Sequence, residues 1–205
     1  MTSRGWFRAR LGCAAASAGA LAAAVIVIGS LTPGYSQISD PVSRLASPGE
    51  PRALAARVAF AGYGLLVAAG AGPLRRYAGL HGHWLARCLT LYGAACVLAG
   101  VAPKDRPGAA PTPVSLVHVA AAVLAGALVL GAMTLVSRYG PTRITRRVAA
   151  IMALLTGLAA GVFALTWGTH VYGVSERALL GAGMGWISAL ATTALVKARE
   201  DIVDR

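Results

Sequence analysis

The stretch that decides the fold is LGCAAASAGALAAAVIVIGSL, at residues 11–31, which carries no charged side chain. About 20 helical residues, each rising about 1.5 Å, cross a hydrocarbon core of about 30 Å. Basic residues precede this run, as they precede a cleaved signal peptide. However, the run is longer than the usual signal core of about 7–15 residues, and it ends in GSLTPGYS without an A-x-A site. We therefore predict a retained membrane helix.

Five further apolar segments are long enough to span a membrane, at about residues 54–72, 84–102, 114–136, 148–167 and 178–196. The whole chain is 57% hydrophobic and 13% charged, whereas soluble domains carry about 25% charged residues. The sequence predicts one all-α domain over residues 1–205, a polytopic membrane protein built as a six-transmembrane-helix bundle. We expect the second helix to stop at Pro73, and Thr112 to cap the fourth helix with Pro113 at its first position.

The basic residues indicate the orientation. With a cytoplasmic N-terminus, 13 Lys and Arg residues lie inside and 6 lie outside, which predicts that both termini are cytoplasmic in a multi-pass protein of the cell membrane. The net charge of +12 is dispersed beside apolar segments and has no basic-aromatic platform, so nucleic-acid binding is not expected. Membrane lipids are the expected partners of this charge.

Other patterns exclude several kinds of site. The three cysteines match no metal motif, the His81-Gly82-His83 pair has no Cys or acid nearby, and we predict neither a metal nor a cofactor. Asp, Glu, Lys and Arg are absent from the middle of every predicted span, which argues against an ion-driven transporter. GxxxG spacings on helices five and six favour close helix packing, either within the chain or in a homo-oligomer. They are formed by Gly157 with Gly161 and by Gly181 with Gly185.

The predicted topology places polar residues from four helix ends on the outer face. We take six of them as candidate ligand-binding residues: Asp40, Ser43, Asp105, His118, Glu176 and Arg177. Asp40-Pro41 predicts the start of a short helix, PVSRLA, capped by Asp40 and lying flat at the membrane surface. His118 lies in an apolar run and needs a hydrogen-bond partner, for which Glu176 or Asp40 are candidates. Arg177 needs an acidic partner or a lipid phosphate.

Three functions fit these features. The first is a membrane protein whose outer polar site binds a lipid headgroup or a small ligand, or which joins a membrane complex. The second is an intramembrane enzyme acting on a lipid through His118, Asp40 and Glu176, with a serine such as Ser39 or Ser43 as nucleophile. Whether the protein is an enzyme therefore stays open. The third is a small transporter. His118 also admits a purely structural function or a haem ligand.

Four motifs carry a family resemblance: SDPVSRLASPGEPRA at residues 39–53, APKD at residues 102–105, His118, and GVSER at residues 173–177. On these motifs the chain resembles a six-helix membrane family of bacteria and archaea, domain-of-unknown-function family 998. Ala102 departs from the expected aromatic-Pro-x-Asp pattern, which weakens a packing argument there but leaves Asp105 in place. The resemblance implies an integral membrane protein with six helices and implies no established activity.

Overall fold

The computed structural model describes residues 3–106 and 108–203, and this part of the chain is helical without any strand. Its six long helices are α1 (Ser3–Ser30), α2 (Ala53–Tyr77), α3 (Gly82–Val101), α4 (Pro113–Tyr139), α5 (Arg143–Leu165) and α6 (Tyr172–Val203). Two short 3₁₀ helices, Val42–Ala46 and Gly79–His81, lie in the connections. In the described residues all six long helices are long and apolar enough to cross a membrane, which confirms the predicted all-α membrane fold.

The helices form a closed ring. Each helix packs against the next in sequence, and α6 closes the ring by packing against α1. The interior is lined by small and branched apolar side chains that are fully buried, such as Val67, Leu89 and Ile187. Short connections make successive helices antiparallel, so the segments 31–52 (loop one), 102–112 (loop two) and 166–171 (loop three) share one end. We call this the loop end, and the opposite end the arginine-rich end.

The closest helix crossing lies between α2 and α3. Gly64 and Gly93 face each other there so closely that a Cβ on either residue would collide with the backbone carbonyl of the other. The GxxxG prediction is wrong for packing within the chain, because a Cβ would meet no atom at any of the four glycines concerned: Gly157, Gly161, Gly181 and Gly185. The two glycines at this crossing lie on different helices, Gly64 on α2 and Gly93 on α3, so a spacing within one helix does not identify them.

The sequence predicted that the second helix stops at Pro73. This prediction is wrong, because α2 continues through Pro73 to Tyr77. Proline has no N–H, so the carbonyl of Ala69, four residues earlier, loses its helical partner. The Arg10 side chain of α1 replaces that partner, because its Nε donates to the Ala69 oxygen at 2.6 Å. A contact from the neighbouring helix thus satisfies the exposed carbonyl and lets α2 pass through the proline.

Candidate functional site

Loop one folds onto the ends of α1 and α2. Leu45 and Ala46 of its 3₁₀ helix are buried against Ile28 and Ala56. The predicted surface helix over PVSRLA is wrong in form, because only five residues are helical and four of them, Ser43 included, are buried. Burial of Val42 and Leu45 in the bundle replaces the expected burial of their apolar face in lipid.

Asp40 does not cap this helix. The residue before the helix is Pro41, which makes no side-chain capping bond, so the predicted Asp40 cap is wrong. The Asp40 carboxylate turns back instead and accepts the Ser36 N–H at 2.7 Å, and it pairs with Arg44 Nη1 at 2.6 Å. The hydrogen bond from Arg44 to Asp40 raises the pKa of Arg44 above its ordinary value. Asp40 therefore stabilises loop one internally.

Glu176 of α6 takes the capping function that sequence reasoning assigned to Asp40. Its Oε2 accepts the N–H of Val42, and the N–H of Ser43 lies beside the same carboxylate. The first N–H groups of a helix have no partner within it, and a carboxylate satisfies them well. The cap comes from a residue 134 positions away in the sequence. Glu176 thus holds loop one against the start of α6.

Arg177 uses both terminal nitrogens on loop one and on its own helix. Nη1 donates to the carbonyls of Asp40 at 2.9 Å and Gly173 at 2.8 Å, and Nη2 donates to Gln37 Oε1 at 2.8 Å. Nη2 also donates to the Tyr35 hydroxyl, and the guanidinium carbon lies 5.7 Å from the Tyr35 ring centroid. The expected acidic partner is not found, because no ion pair of Arg177 occurs among the described residues.

We call this assembly the loop-one clamp, formed by Tyr35, Gln37, Asp40, Val42, Glu176 and Arg177. Two further contacts tighten it. The Val174 N–H donates to the Ile38 carbonyl at 2.9 Å, and Gly173 lies against the Asp40 and Ile38 carbonyls where a Cβ would collide. Burial raises the pKa of the Tyr35 phenol to about 12, against the lowering effect of the Arg177 charge. The phenol is therefore a neutral group within the clamp.

Asp105 and His118 form a separate group at loop two. Asp105 accepts the Thr112 N–H at 2.7 Å and its hydroxyl at 3.0 Å, and the Thr112 N–H is the main cause of a lowered Asp105 pKa. Thr112 in turn caps α4 by accepting the Ser115 N–H, which confirms the predicted cap. His118 Nδ1 lies 2.8 Å from the Ala99 oxygen and 2.9 Å from the Ala102 oxygen.

His118 therefore finds its partners at the end of α3, and neither Glu176 nor Asp40 is hydrogen-bonded to it. Nδ1 carries the proton in this arrangement because both neighbours are carbonyl acceptors, which leaves Nε2 of the neutral ring as an acceptor. Nε2 makes no hydrogen bond within the described residues. The imidazole thus ties α4 to the last turn of α3 and retains one unused acceptor.

Lys104 connects the two groups. Its Nζ lies 4.7 Å from the Trp167 ring centroid and 5.9 Å from the Tyr172 ring centroid. Partial burial lowers the pKa of Lys104, and the nearby Glu176 carboxylate opposes this lowering. The charge of Lys104 also interacts electrostatically with the His118 imidazole. In the part of the chain that the structure describes, the ammonium makes no hydrogen bond or ion pair.

The six candidate residues thus fall into two sets. Asp40, Glu176 and Arg177 meet at the loop-one clamp, with the N–H of Ser43 beside Glu176. Asp105 and His118 lie near loop two, where each bonds to different residues. Sequence reasoning missed Tyr35, Gln37 and the central position of Lys104. A lysine just past an apolar span is ordinary, so the sequence contains no signal for its position. Over residues 3–106 and 108–203, no three His, Cys, Asp or Glu side chains are grouped to hold a metal ion.

Comparison with known proteins identifies the family of the chain. Neither the curated proteins nor the solved structures include a match to the chain. A family model described as "Protein of unknown function (DUF998)" matches residues 16–193. The matched range begins inside α1 and ends inside α6, so it includes both the loop-one clamp and the loop-two group. The chain, a membrane protein with six apolar helices, therefore belongs to the DUF998 family.

Proposed function

We propose that this multi-pass protein lies in the cell membrane with both termini in the cytoplasm, and that its loop end binds a lipid headgroup or a small ligand through Lys104. The observation that carries the proposal is the partly buried Lys104 ammonium, which has no hydrogen-bond acceptor among the described residues. An ammonium carries three donors, and at Lys104 none of the three has an acceptor within the described residues. A ligand oxygen at this position would supply the missing acceptor.

The surroundings of Lys104 support a ligand that combines an anionic group with an apolar or hydroxyl-bearing part. Trp167 is 63% exposed and presents an aromatic surface beside the ammonium. His118 Nε2 is an unused acceptor for a ligand hydroxyl. The carboxylate of Glu176 is already engaged with Val42, and Arg177 with loop one, so these two residues position the site and do not bind the ligand in this proposal.

A binding comparison between two variants tests the proposal. Short-chain phosphatidylglycerol, phosphatidylethanolamine and phosphatidylcholine, together with inorganic phosphate, serve as probes in detergent, with thermal stabilisation of the protein as the readout. Lys104→Met keeps the side-chain length and removes the charge, and we expect at least tenfold weaker binding of the preferred probe. Arg106→Gln removes an exposed charge from the same loop and is expected to change binding less than twofold. Equal binding by the Lys104→Met and native proteins would refute the proposal.

The distribution of Lys and Arg supports the proposed orientation. The arginine-rich end, with the N- and C-terminal segments, carries 13 of these residues, and the loop end carries 6. A reporter that is active only in the cytoplasm, fused after Arg205, is expected to be active. A second fusion within loop two, after Ala110, is expected to be inactive. Activity of the loop-two fusion together with silence of the C-terminal fusion would reverse the orientation.

A further inference from the structure

The seam between α1 and α2 at the arginine-rich end presents Arg10 and Arg76, whose terminal nitrogens have no partner within residues 3–106 and 108–203. Arg10 is held through Nε, which donates to the Ala69 carbonyl that Pro73 leaves free, at 2.6 Å. This bond fixes the plane of the guanidinium. Because it uses only Nε, it leaves Nη1 and Nη2 for another acceptor.

Nη1 and Nη2 of Arg10 lie on the surface of the seam. A Cβ placed on Gly72 would lie 3.2 Å from Nη2 and 3.6 Å from Nη1, so the missing side chain leaves room for the guanidinium edge. Gly72 is exposed, and within the described residues neither terminal nitrogen makes a hydrogen bond. The donor edge of Arg10 is therefore accessible from the membrane side of the seam.

Arg76 is placed on the same seam by an aromatic contact. It lies one helical turn after Gly72, and its guanidinium carbon is 5.5 Å from the ring centroid of Phe7 on α1. Phe7 in turn lies one turn before Arg10. Stacking on an aromatic face orients a guanidinium without using its donors. Among the described residues every ion pair lies at the loop end, so neither arginine has an acidic partner.

The depth of Arg10 matches the layer of lipid phosphates. Twenty residues separate Arg10 from Ser30, the last residue of α1, which corresponds to about 30 Å of helix and to the thickness of the hydrocarbon core. With Ser30 at one boundary of the hydrocarbon core, Arg10 lies at the other. An arginine at this boundary meets phosphate oxygens, which a guanidinium binds through two parallel hydrogen bonds.

We propose that the α1–α2 seam is a binding site for the phosphate of an anionic glycerophospholipid, held by Nη1 and Nη2 of Arg10 and by the Arg76 guanidinium. Two positive charges that form no ion pair within the described residues favour a headgroup with net negative charge over a zwitterionic one. The lipid belongs to the leaflet at the arginine-rich end. This site is distinct from the one proposed at Lys104, which lies at the opposite end of the bundle.

Lipid retention measured on intact protein tests the site. The protein is reconstituted in an equal mixture of phosphatidylglycerol and phosphatidylcholine and transferred to detergent, and the lipid bound per molecule is counted by native mass spectrometry. We expect phosphatidylglycerol to be retained preferentially. Arg76→Gln, which removes no protein hydrogen bond, is expected to lower that retention about fivefold, corresponding to one basic residue near an anionic surface. Arg10→Gln with Arg76→Gln should abolish the preference.

Arg147→Gln is the matched control, because it removes one exposed charge at the same end from a different helix. We expect less than a twofold change. The proposal is overturned if Arg147→Gln lowers retention as much as Arg76→Gln, since the attraction would then be diffuse, or if Arg76→Gln retains phosphatidylglycerol like the native protein. Displacement of the lipid by 10 mM inorganic phosphate would also overturn it, because the site would then hold a free anion. A site at Lys104 is not altered by Arg76→Gln, so the two proposals fail separately.

Discussion

The loop end and the arginine-rich end both carry arginines, but the two ends use them differently. At the loop end, Arg177 donates to four oxygen atoms of the protein itself. At the arginine-rich end, within the part of the chain that the structure describes, Arg10 donates through Nε alone and Arg76 makes only an aromatic contact. The number of positive charges therefore does not identify a binding site. What distinguishes Arg177 from Arg10 and Arg76 is how many acceptor groups of the chain lie within reach.

The acids of the chain explain much of this difference. Four of the seven acids, Asp40, Glu50, Asp105 and Glu176, are at the loop end, where they order backbone N–H groups and arginines. A charge with protein partners stabilises the fold, whereas a charge without them is available to a ligand or to lipid. Lys104 is the exception at the loop end, because it lies among these acids without bonding to any of them.

The largest expected effect comes from Arg177→Met, which removes four hydrogen bonds of the loop-one clamp and leaves buried oxygens without donors. We expect a loss of about 3 kcal/mol in the free energy of unfolding, since bonds to charged groups contribute about 1.5–3 kcal/mol each and do not add fully. Arg76→Met at the opposite end should change it by less than about 0.5 kcal/mol. Titration with a denaturing detergent, followed by circular dichroism, measures both. Similar losses in the two variants would remove the distinction between the ends.

His118→Ala is expected to cost about 2 kcal/mol, because two carbonyls at the end of α3 lose their donor. His118→Asn places an amide donor near the position of Nδ1 and should recover part of that loss. The same detergent titration reports the stability of both variants. If His118→Ala instead unfolds like the native protein but loses probe binding, the imidazole binds ligand and does not stabilise the helix ends.

Glu176→Gln tests how far the charge of the cap contributes. Glutamine keeps one oxygen to accept the Val42 N–H but loses the negative charge near Lys104, so we expect a loss of about 1 kcal/mol. Glu176→Ala removes the acceptor as well and should cost about twice as much. Protease cleavage within loop one provides an independent measurement, with faster cleavage in the alanine variant. Equal cleavage rates in all three proteins would show that the cap does not hold the loop.

The smallest effect is expected from the pH dependence of Asp105. Its pKa is lowered in the folded state, chiefly by the Thr112 N–H, so its stabilising contribution is present above the ordinary aspartate pKa of about 3.9. That contribution is lost as pH falls through the lowered folded value. Asp105→Asn should therefore flatten the acid limb of the stability profile. Thr112→Ser keeps both donors to Asp105 and should lose stability at low pH in the same way as the native protein. An unchanged dependence of stability on pH in Asp105→Asn would contradict this account.

Sequence reasoning predicted the elements better than their contacts. The six apolar helices and the Thr112 cap are correct because they depend on residues within a few positions of each other. The Asp40 cap and the stop at Pro73 are wrong for a shared reason. In each case a side chain from another helix, Glu176 or Arg10, supplies the missing partner. A prediction from neighbouring residues cannot include a donor or acceptor that lies far away in the sequence and comes close only in the packed bundle.

The amino-acid sequence alone specifies six apolar helices and the excess of basic residues at the arginine-rich end, because length, hydropathy and charge are local properties of each segment. The tertiary structure decides which polar groups remain without partners. Closure of the ring brings α6 against loop one, where the terminal nitrogens of Arg177 donate to protein acceptors. At Pro73, by contrast, the free carbonyl of α2 accepts a hydrogen bond from Nε of Arg10 alone. Hydrogen bonds require atoms within about 3 Å, so only the packed bundle separates a charge that stabilises the fold from one that is free to bind.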